Sequence, residues 1–374
     1  MSTAPIRVLW LAKGLGPGGM ERLLATHARV GDRERFDYFA GYLVERPQSV
    51  IPALEALGVE SIRLGDGRDV GPGWVRDLRD LVRVKAIDVV HSHSPFVAAM
   101  ARPALRLMRR RPSLVYTEHN SWDCYSLPTR LANALTYPAD DAQLAVSPAA
   151  ARSAVGPLGR RVEVLLHGID VEAVGARRAQ RDTARADLGV DDDAVVVVTV
   201  ANLRKEKAYD VLLAAAARAS AARDDLVFVS VGQGRLMAEM AARRDELRLG
   251  DRFRFLGYRD DVPDLLAAAD VVCFSSRHEG LPVALMEACA IGRPVVATRV
   301  GGLPDAVEDG GSGVLVNPED PSALADALLA LAADRPWREK MGARALELAR
   351  RFDSRRAVRR IEAVYEEVHA KVRR

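Results

Sequence analysis

Short apolar, β-branched runs alternate with longer alanine- and leucine-rich stretches along the whole chain. In the first half the runs predict strands at Ile6–Ala12, Phe36–Val44, Ser61–Leu64, Val89–His91, Ser113–Thr117, Ala142–Val146 and Val162–Leu166. In the second half they predict strands at Ala194–Val200, Val227–Val231, Phe253–Leu256, Val271–Phe274, Pro294–Thr298 and Gly313–Val316. The runs are continuous rather than alternating. Strands of that kind are buried on both faces, as in parallel sheets covered by helices. Helical stretches between them include Met20–Ala28, Asp210–Ala221 and Pro321–Ala333. Ser354–Val372 carries Val358, Ile361, Val364, Tyr365 and Val368 at helical spacing and predicts a long final helix.

The strand–helix pattern restarts after Asp191–Asp193, and the polar, arginine-rich segment Arg177–Asp187 before it reads as an interdomain region. A chain of 374 residues suits two domains of ordinary size. The expectation is two doubly wound α/β domains, with the cleft between them as the ligand site.

Composition changes this picture little. Apolar residues make up 49% and charged residues 28%, as in a soluble globular protein. No apolar run approaches the ~18–20 residues that span a bilayer. Val8–Ala12 is too short for the core of a secretory signal, so the expected location is cytoplasmic. Cys124, Cys273 and Cys289 are far apart, which argues against structural zinc and a disulfide framework. A net charge of +3, without a basic stripe interleaved with aromatics, argues against nucleic acid. Phe96–Arg111 mixes apolar and basic residues and ends in Met108-Arg109-Arg110-Arg111. It reads either as a solvated helix end whose arginines complement the dipole, or as a peripheral contact with an anionic membrane at its inner face.

Two glycine-bearing stretches carry the candidate chemistry. After the first strand, Gly14, Gly16 and Gly19 satisfy G-x-G-x-x-G, with Glu45 available for a ribose. The same loop, through Gly18-Gly19-Met20-Glu21-Arg22, also suits close approach to a phosphate at a helix N-terminus, or a tight turn without ligand. In the second half Ser275-Ser276-Arg277-His278-Glu279-Gly280-Leu281-Pro282 follows a strand and leads to Glu287. Pro282 suits the first turn of a helix. Free N–H groups there can hold a diphosphate, and Glu279 and Glu287 beside it can accept from sugar and ribose hydroxyls. Glutamates that merely complement the helix dipole are the structural alternative. Upstream, Asn202-Leu203-Arg204-Lys205-Glu206-Lys207 joins a strand to its helix, where a lysine would neutralise a leaving diphosphate. A solvated charge run is the alternative there. His91 and His93 share a strand face as a metal pair would, but no third ligand accompanies them.

These pieces carry a resemblance. Asn202 to Lys207, Val231-Gly232-Gln233-Gly234, Phe255-Leu256-Gly257-Tyr258-Arg259-Asp260-Asp261-Val262, the Glu279/Glu287 motif and Val300-Gly301-Gly302-Leu303-Pro304 run in one order over residues 194–318. This resembles the retaining glycosyltransferases of family 4 (glycosyl transferases group 1). In the first half Gly18 to Glu21, Thr117-Glu118-His119-Asn120 and Leu166-His167-Gly168-Ile169-Asp170 resemble the same family. The resemblance implies a GT-B fold: two Rossmann-like parallel-sheet domains facing across a cleft, with the last helix crossing back. It divides the chain into an acceptor-binding domain (1–175), a nucleotide-sugar donor domain (176–352) and a final helix (353–374).

The family pattern implies that Glu279 holds donor sugar hydroxyls, Glu287 the ribose, and Lys207 the diphosphate. Gly280, Leu281, Pro282, Gly18 and Gly19 would add backbone contacts. His119 would lie near the sugar and the reaction centre, and Arg259 would border the base. Many members carry arginine where this chain has Asn202, so Arg204 is the residue that could supply that charge; Ala208 also replaces a common glycine. The implied activity is retaining, hexosyltransferase-type transfer from a nucleoside-diphosphate sugar, UDP-sugar favoured, to an acceptor hydroxyl. The acceptor would be a sugar, a lipid-linked molecule or another small molecule, in polysaccharide, glycolipid or other glycoconjugate biosynthesis. No metal or other cofactor is implied. The readings held against it are a nucleotide-sugar epimerase or phosphorylase, an NAD-dependent oxidoreductase resting on Gly14, Gly16 and Gly19, and a catalytically silent nucleotide-sugar binding subunit favoured by Asn202.

Overall fold

The thirteen predicted strands divide between two parallel sheets. The computed structural model describes residues 4–46, 48–66, 71, 73–154 and 162–373. The first sheet contains β1 (Ile6–Gly14), β2 (Phe36–Val44), β3 (Glu60–Arg63), β4 (Val89–Ser92), β5 (Ser113–Glu118), β6 (Ala142–Ala145) and β7 (Glu163–Val164). Its order is β3-β2-β1-β4-β5-β6-β7. The second contains β8 (Val195–Val200), β9 (Leu226–Val231), β10 (Phe253–Gly257), β11 (Val271–Phe274), β12 (Val295–Thr298) and β13 (Gly313–Val316), in the order β10-β9-β8-β11-β12-β13. All boundaries fall within two residues of those read from apolar runs, because the central strands, buried on both faces, are largely apolar.

Both sheets start at a central strand and grow first one way, then the other. The direction reverses beside β1 and β4 in one sheet and beside β8 and β11 in the other. Loops leaving adjacent carboxyl ends at such a point diverge and open a crevice, which is where doubly wound sheets bind ligands. The candidate residues leave from these ends: Gly18–Gly19 after β1, His93 after β4, Asn202–Lys207 after β8 and Ser275–Glu279 after β11.

The chain separates into two units, residues 1–168 with 354–374, and residues 169–353. The second unit begins a few residues earlier than the motifs suggest. The short helix Val171–Ala176 packs on the helix Val283–Ile291 and so belongs with the second core.

The arginine-rich segment expected between domains is also part of that unit. It forms the helix Arg181–Leu188, packed on the helix Val262–Ala268. Arg181 donates to the carbonyls of Ala267, Ala268 and Ala269 and pairs with Asp270. Arg185 is buried and donates to Asp270 and to the carbonyls of Asp191 and Ala194. These guanidinium groups satisfy carbonyls that a helix end leaves unpaired. Polarity alone made the segment look like a solvated linker.

In the first unit the final helix, Ser354–Arg373, lays Ile361, Val364, Tyr365 and Val368 into the cluster formed by Val8, Trp10, Phe36 and Tyr38. Its polar groups are buried with it. Trp10 Nε1 donates to Tyr365 Oη at 3.3 Å, and Tyr365 Oη lies 2.6 Å from His91 Nδ1. Glu362 Oε1 accepts from Tyr38 Oη at 2.7 Å and from the Asp32 amide at 2.8 Å. Among the described residues, no helix is long and apolar enough to cross a membrane.

Tyr365→Phe removes the hydroxyl that both Trp10 and His91 use, leaving two buried polar groups without partners. The expected loss is about 1–3 kcal/mol of stability by denaturant unfolding. An unchanged midpoint would show that the hydroxyl is dispensable to this packing.

Candidate functional site

In the second unit the site is built by loops after β8, β11 and β12. After β8 the chain enters a 3₁₀ turn, Lys205–Lys207, and then the helix Tyr209–Ala222. Ala208 links them with φ 48°, a left-handed conformation that costs a residue with a Cβ about 1 kcal/mol and that glycine adopts freely. Ser275 Oγ donates to the carbonyls of Lys207 and Ala208 at 3.0 and 3.2 Å and holds this turn down. The Arg277 amide donates to the Glu206 carbonyl at 2.8 Å, so the β8 and β11 loops are tied by backbone as well.

Lys207 and Glu279 meet here. Lys207 Nζ lies 2.7 Å from each carboxylate oxygen of Glu279. Ser276 Oγ donates to Glu279 Oε1 at 2.6 Å. Thr298 Oγ1, at the end of β12, donates to the Ser276 carbonyl at 2.6 Å. Gly301 closes the site from the β12 loop with φ 54°, and a Cβ there would lie 1.7 Å from the Glu279 carbonyl oxygen. Next to it, the Gly302 amide donates to the Gly280 carbonyl at 2.8 Å. Gly301 of Val300-Gly301-Gly302 is therefore required by direct backbone packing on the Glu279 loop.

A second pair of glycines serves the β8 loop in the same way. A Cβ on Gly232 would lie 2.1 Å from the Ala201 carbonyl oxygen, and one on Gly234 would lie 2.2 Å from that of Leu203. Pro282 precedes the helix Val283–Ile291 as its cap residue, and Glu287 sits one turn in, buried.

Other predicted residues have partners of their own. Arg204 is largely exposed, with Glu206 at 3.9 Å. Arg259 is paired with Asp261 and lines a groove with Gln180, Thr183 and Arg254. At Asn202 the backbone carbonyl accepts from the Arg204 amide, which turns the loop.

In the first unit Gly18 caps the helix Gly19–Val30. A Cβ on Gly18 would lie 2.4 Å from Glu21 Oε2, so the first-turn carboxylate folds back over this N-terminus. Glu45, the acidic residue of the dinucleotide reading, pairs with Arg63.

His119 follows β5 and joins a cluster of imidazoles. Its Nε2 lies 3.0 Å from His93 Nδ1, and its ring stacks parallel to His167 at 5.2 Å. His91 and His93 share a face, with ring centroids 4.1 Å apart. His91 Nε2 lies 2.7 Å from Thr117 Oγ1. His27 lines the same cavity as these four rings.

Burial holds all five imidazoles below their ordinary range, His27 at about 3 and His167 at about 4. Beside His119, Glu118 is fully buried and pushed up to about 7 by burial. Donation from Tyr125, Trp122 and Tyr116 to its carboxylate partly offsets that shift. Glu118 thereby anchors the loop that carries His119. Its role, like that of His93, was not readable from type and spacing, since both depend on which loops converge.

The buried histidines set the acid side of stability. In the folded chain His27, His91, His93, His119 and His167 stay neutral, whereas unfolded they take up protons below about 6.5. The unfolded state therefore binds more protons, and stability falls as pH drops from about 6.5 toward 4. Glu118 and Asp140, raised to about 7 and about 6, act in the opposite sense. Five imidazoles against two carboxyls leave the unfolded state with the larger proton uptake near pH 5, so stability falls with pH there. Urea unfolding at pH 7.5, 6 and 5 measures this, and equal stability at all three would contradict it.

Known proteins share these features. Residues 11–173 match Glycosyltransferase Family 4, and residues 180–348 match Glycosyl transferases group 1. The chain is 35% identical over 306 residues to D-inositol 3-phosphate glycosyltransferase of Kribbella flavida, covering 73% of this chain and 71% of that protein. It is 30% identical over 185 residues to N-acetyl-α-D-glucosaminyl L-malate synthase of Bacillus anthracis, covering 49% and 48%. The matched region spans about half the length of several other curated relatives. The solved structure of HepE from Anabaena in complex with UDP-glucose superposes with a TM-score of 0.86 at 23% identity, over 97% of this chain and 100% of that one. That likeness shows the GT-B fold. With motifs, sheet topology and relatives in agreement, the chain belongs to glycosyltransferase family 4.

Proposed function

We propose that this glycosyltransferase moves a hexose from a UDP-sugar to an acceptor hydroxyl with retention at the anomeric carbon, without a metal ion. The observation that carries the reading is the Lys207–Glu279 pair at the carboxyl ends of β8 and β11. Without ligand, the ammonium and the carboxylate neutralise each other in a partly buried place. A nucleotide sugar offers each a better-matched partner: the diphosphate oxygens take Lys207, and sugar hydroxyls donate to Glu279. Ser276 keeps one Glu279 oxygen oriented throughout.

Transfer separates a diphosphate anion from an oxocarbenium-like sugar. Lys207 and the free amides at the start of the helix Val283–Ile291 stabilise the anion as its charge develops. Glu287, one turn into that helix, is assigned to the ribose, and Arg259 to the border of the base. His119 is assigned to the sugar beside the reaction centre. Arg204 and the amides of Gly18 and Gly19 complete the proposed phosphate contacts. HepE binds UDP and UDP-glucose, which supports the choice of base.

A surface feature supports a second element, peripheral seating on an anionic membrane. Phe96–Arg111 is the poorer half of that surface. Val97, Ala98, Ala101 and Leu105 are core residues, and Arg106 and Arg111 are paired with Asp141. The packed neighbour, the helix Leu127–Thr136, instead exposes Leu127, Leu131 and Leu135, at 65, 62 and 84%, on one helical face with Arg130. Leu107, Arg109 and Arg110 are also exposed. Apolar and basic groups together suit an anionic interface and, through it, a lipid-linked acceptor.

Lys207→Gln should lower kcat/KM for the nucleotide sugar by about 100- to 1000-fold while the melting temperature is kept. Glu279→Gln should lower transfer similarly yet bind free UDP more tightly, because the carboxylate no longer competes for Lys207. Wild-type turnover in both variants would end the assignment, and a thermal-shift series with UDP-, GDP-, ADP- and dTDP-sugars tests the base. Leu131→Glu should abolish co-sedimentation with phosphatidylglycerol vesicles. No sedimentation of the wild-type chain removes the membrane element.

A further inference from the structure

The short contact between His93 and His119 has a direction that the surrounding burial decides. His93 Nδ1 and His119 Nε2 are 3.0 Å apart, so one of them carries the shared proton and the other accepts it. The opposite nitrogen of His93, Nε2, is buried and meets no hydrogen-bond partner. A proton on that atom would leave an N–H donor orphaned in the interior, which native structures avoid more strictly than an under-used acceptor. The proton of His93 therefore sits on Nδ1.

The adjacent histidine is set from the other side. Trp10 Nε1 can only donate, so Tyr365 Oη accepts from it and gives its own proton to His91 Nδ1. His91 then carries its proton on Nε2 and donates to Thr117 Oγ1. The two rings on one face of β4 hold opposite tautomers, each dictated by its partners. A protein uses this kind of outer contact to orient a ring that meets a ligand.

We propose that His93 is a positioning residue: its Nδ1–H donates to His119 Nε2, holds His119 as the Nδ1–H tautomer, and aims that N–H at an oxygen of the bound sugar or of the attacking hydroxyl. His119 is partly exposed, its Nε2 is the nitrogen that meets His93, and His167 stacks on the ring and limits its rotation. Burial keeps His93 and His119 uncharged near neutral pH, so the group presented is a neutral donor. This rests on the reading that His119 meets the substrate, but the tautomer itself does not.

The full chain tests it in two ways. Long-range nitrogen–proton NMR of the imidazoles reads the tautomer directly, and should show His119 protonated on Nδ1 in the wild type. Kinetics with UDP-glucose as the probe, read as UDP release, tests the role. His93→Leu should lower kcat by about 10- to 100-fold while KM changes by less than about 3-fold. His93→Asn, whose amide N–H takes the place of Nδ1–H, should restore kcat to within about 3-fold and keep the His119 tautomer. His93→Gln, whose amide reaches the Nε2 position instead, should not.

An Nε2–H His119 in the wild type, or equal kinetics for the Asn and Gln variants, overturns the proposal. Loss of turnover in His119→Ala with wild-type rates in His93→Leu also overturns it. Wild-type rates in His119→Ala would instead refute the substrate role of His119, and the ring spectrum would still decide the tautomer. The Asn variant and the wild-type spectrum keep the test decisive even where His93→Leu does not fold.

Discussion

The contact that the second unit's candidate site depends on is the approach of Gly301 to the backbone of Glu279. No side chain fits between them, since a Cβ would stand 1.7 Å from the Glu279 carbonyl oxygen. The approach carries the β12 loop onto the β11 loop and brings the Gly302 amide to the Gly280 carbonyl. With the Glu279 backbone held from that side, Ser276 and Lys207 can hold its carboxylate from the other. The same device recurs at Gly232 and Gly234, which let the loop after β9 close on the loop after β8. Glycine is needed at these places for the space it leaves, and at Gly301 also for a positive φ.

The first unit solves a different problem, the burial of polar rings. Tyr365 and Glu362 of the final helix satisfy Trp10, His91 and Tyr38. Most of the contacts are between uncharged groups, which makes burial affordable in a low-dielectric core. Its cost appears as acid lability, because the same rings charge readily once exposed. Tertiary contact also supplies direction: each shared proton is assigned by which neighbours can only donate and which atoms are sealed from water. A segment more than 180 residues downstream of the first unit's last strand thus sets the tautomer of a histidine on β4.

The fold was largely legible in the linear pattern. Doubly buried strands such as Val195–Val200 are almost wholly apolar, so they stand out whatever packs on them. The final helix was legible for a similar reason, since a buried stripe repeats at the helical period. Arg177–Asp187, read as an interdomain region, lies inside the second unit. Polarity does not distinguish an arginine in water from one that, like Arg185, is buried against carbonyls and Asp270. Asn202, Arg204 and Arg259 mark the same limit, because the partners each meets depend on how a loop turns.

The sequence by itself determined the two α/β halves and the family, because residue type and order along the chain carry that information; Lys207, Glu279 and Glu287 entered as the candidates that this order singles out. Only the tertiary structure decided that Lys207 and Glu279 hold each other, that Ser276 orients the carboxylate, and that Gly301 must be bare. It alone brought His93 to His119 and wrapped Glu118 in three donors. The physical reason is the same in each case. These properties belong to pairs of groups on different loops, and their energies depend on distance, burial and the direction of a shared proton.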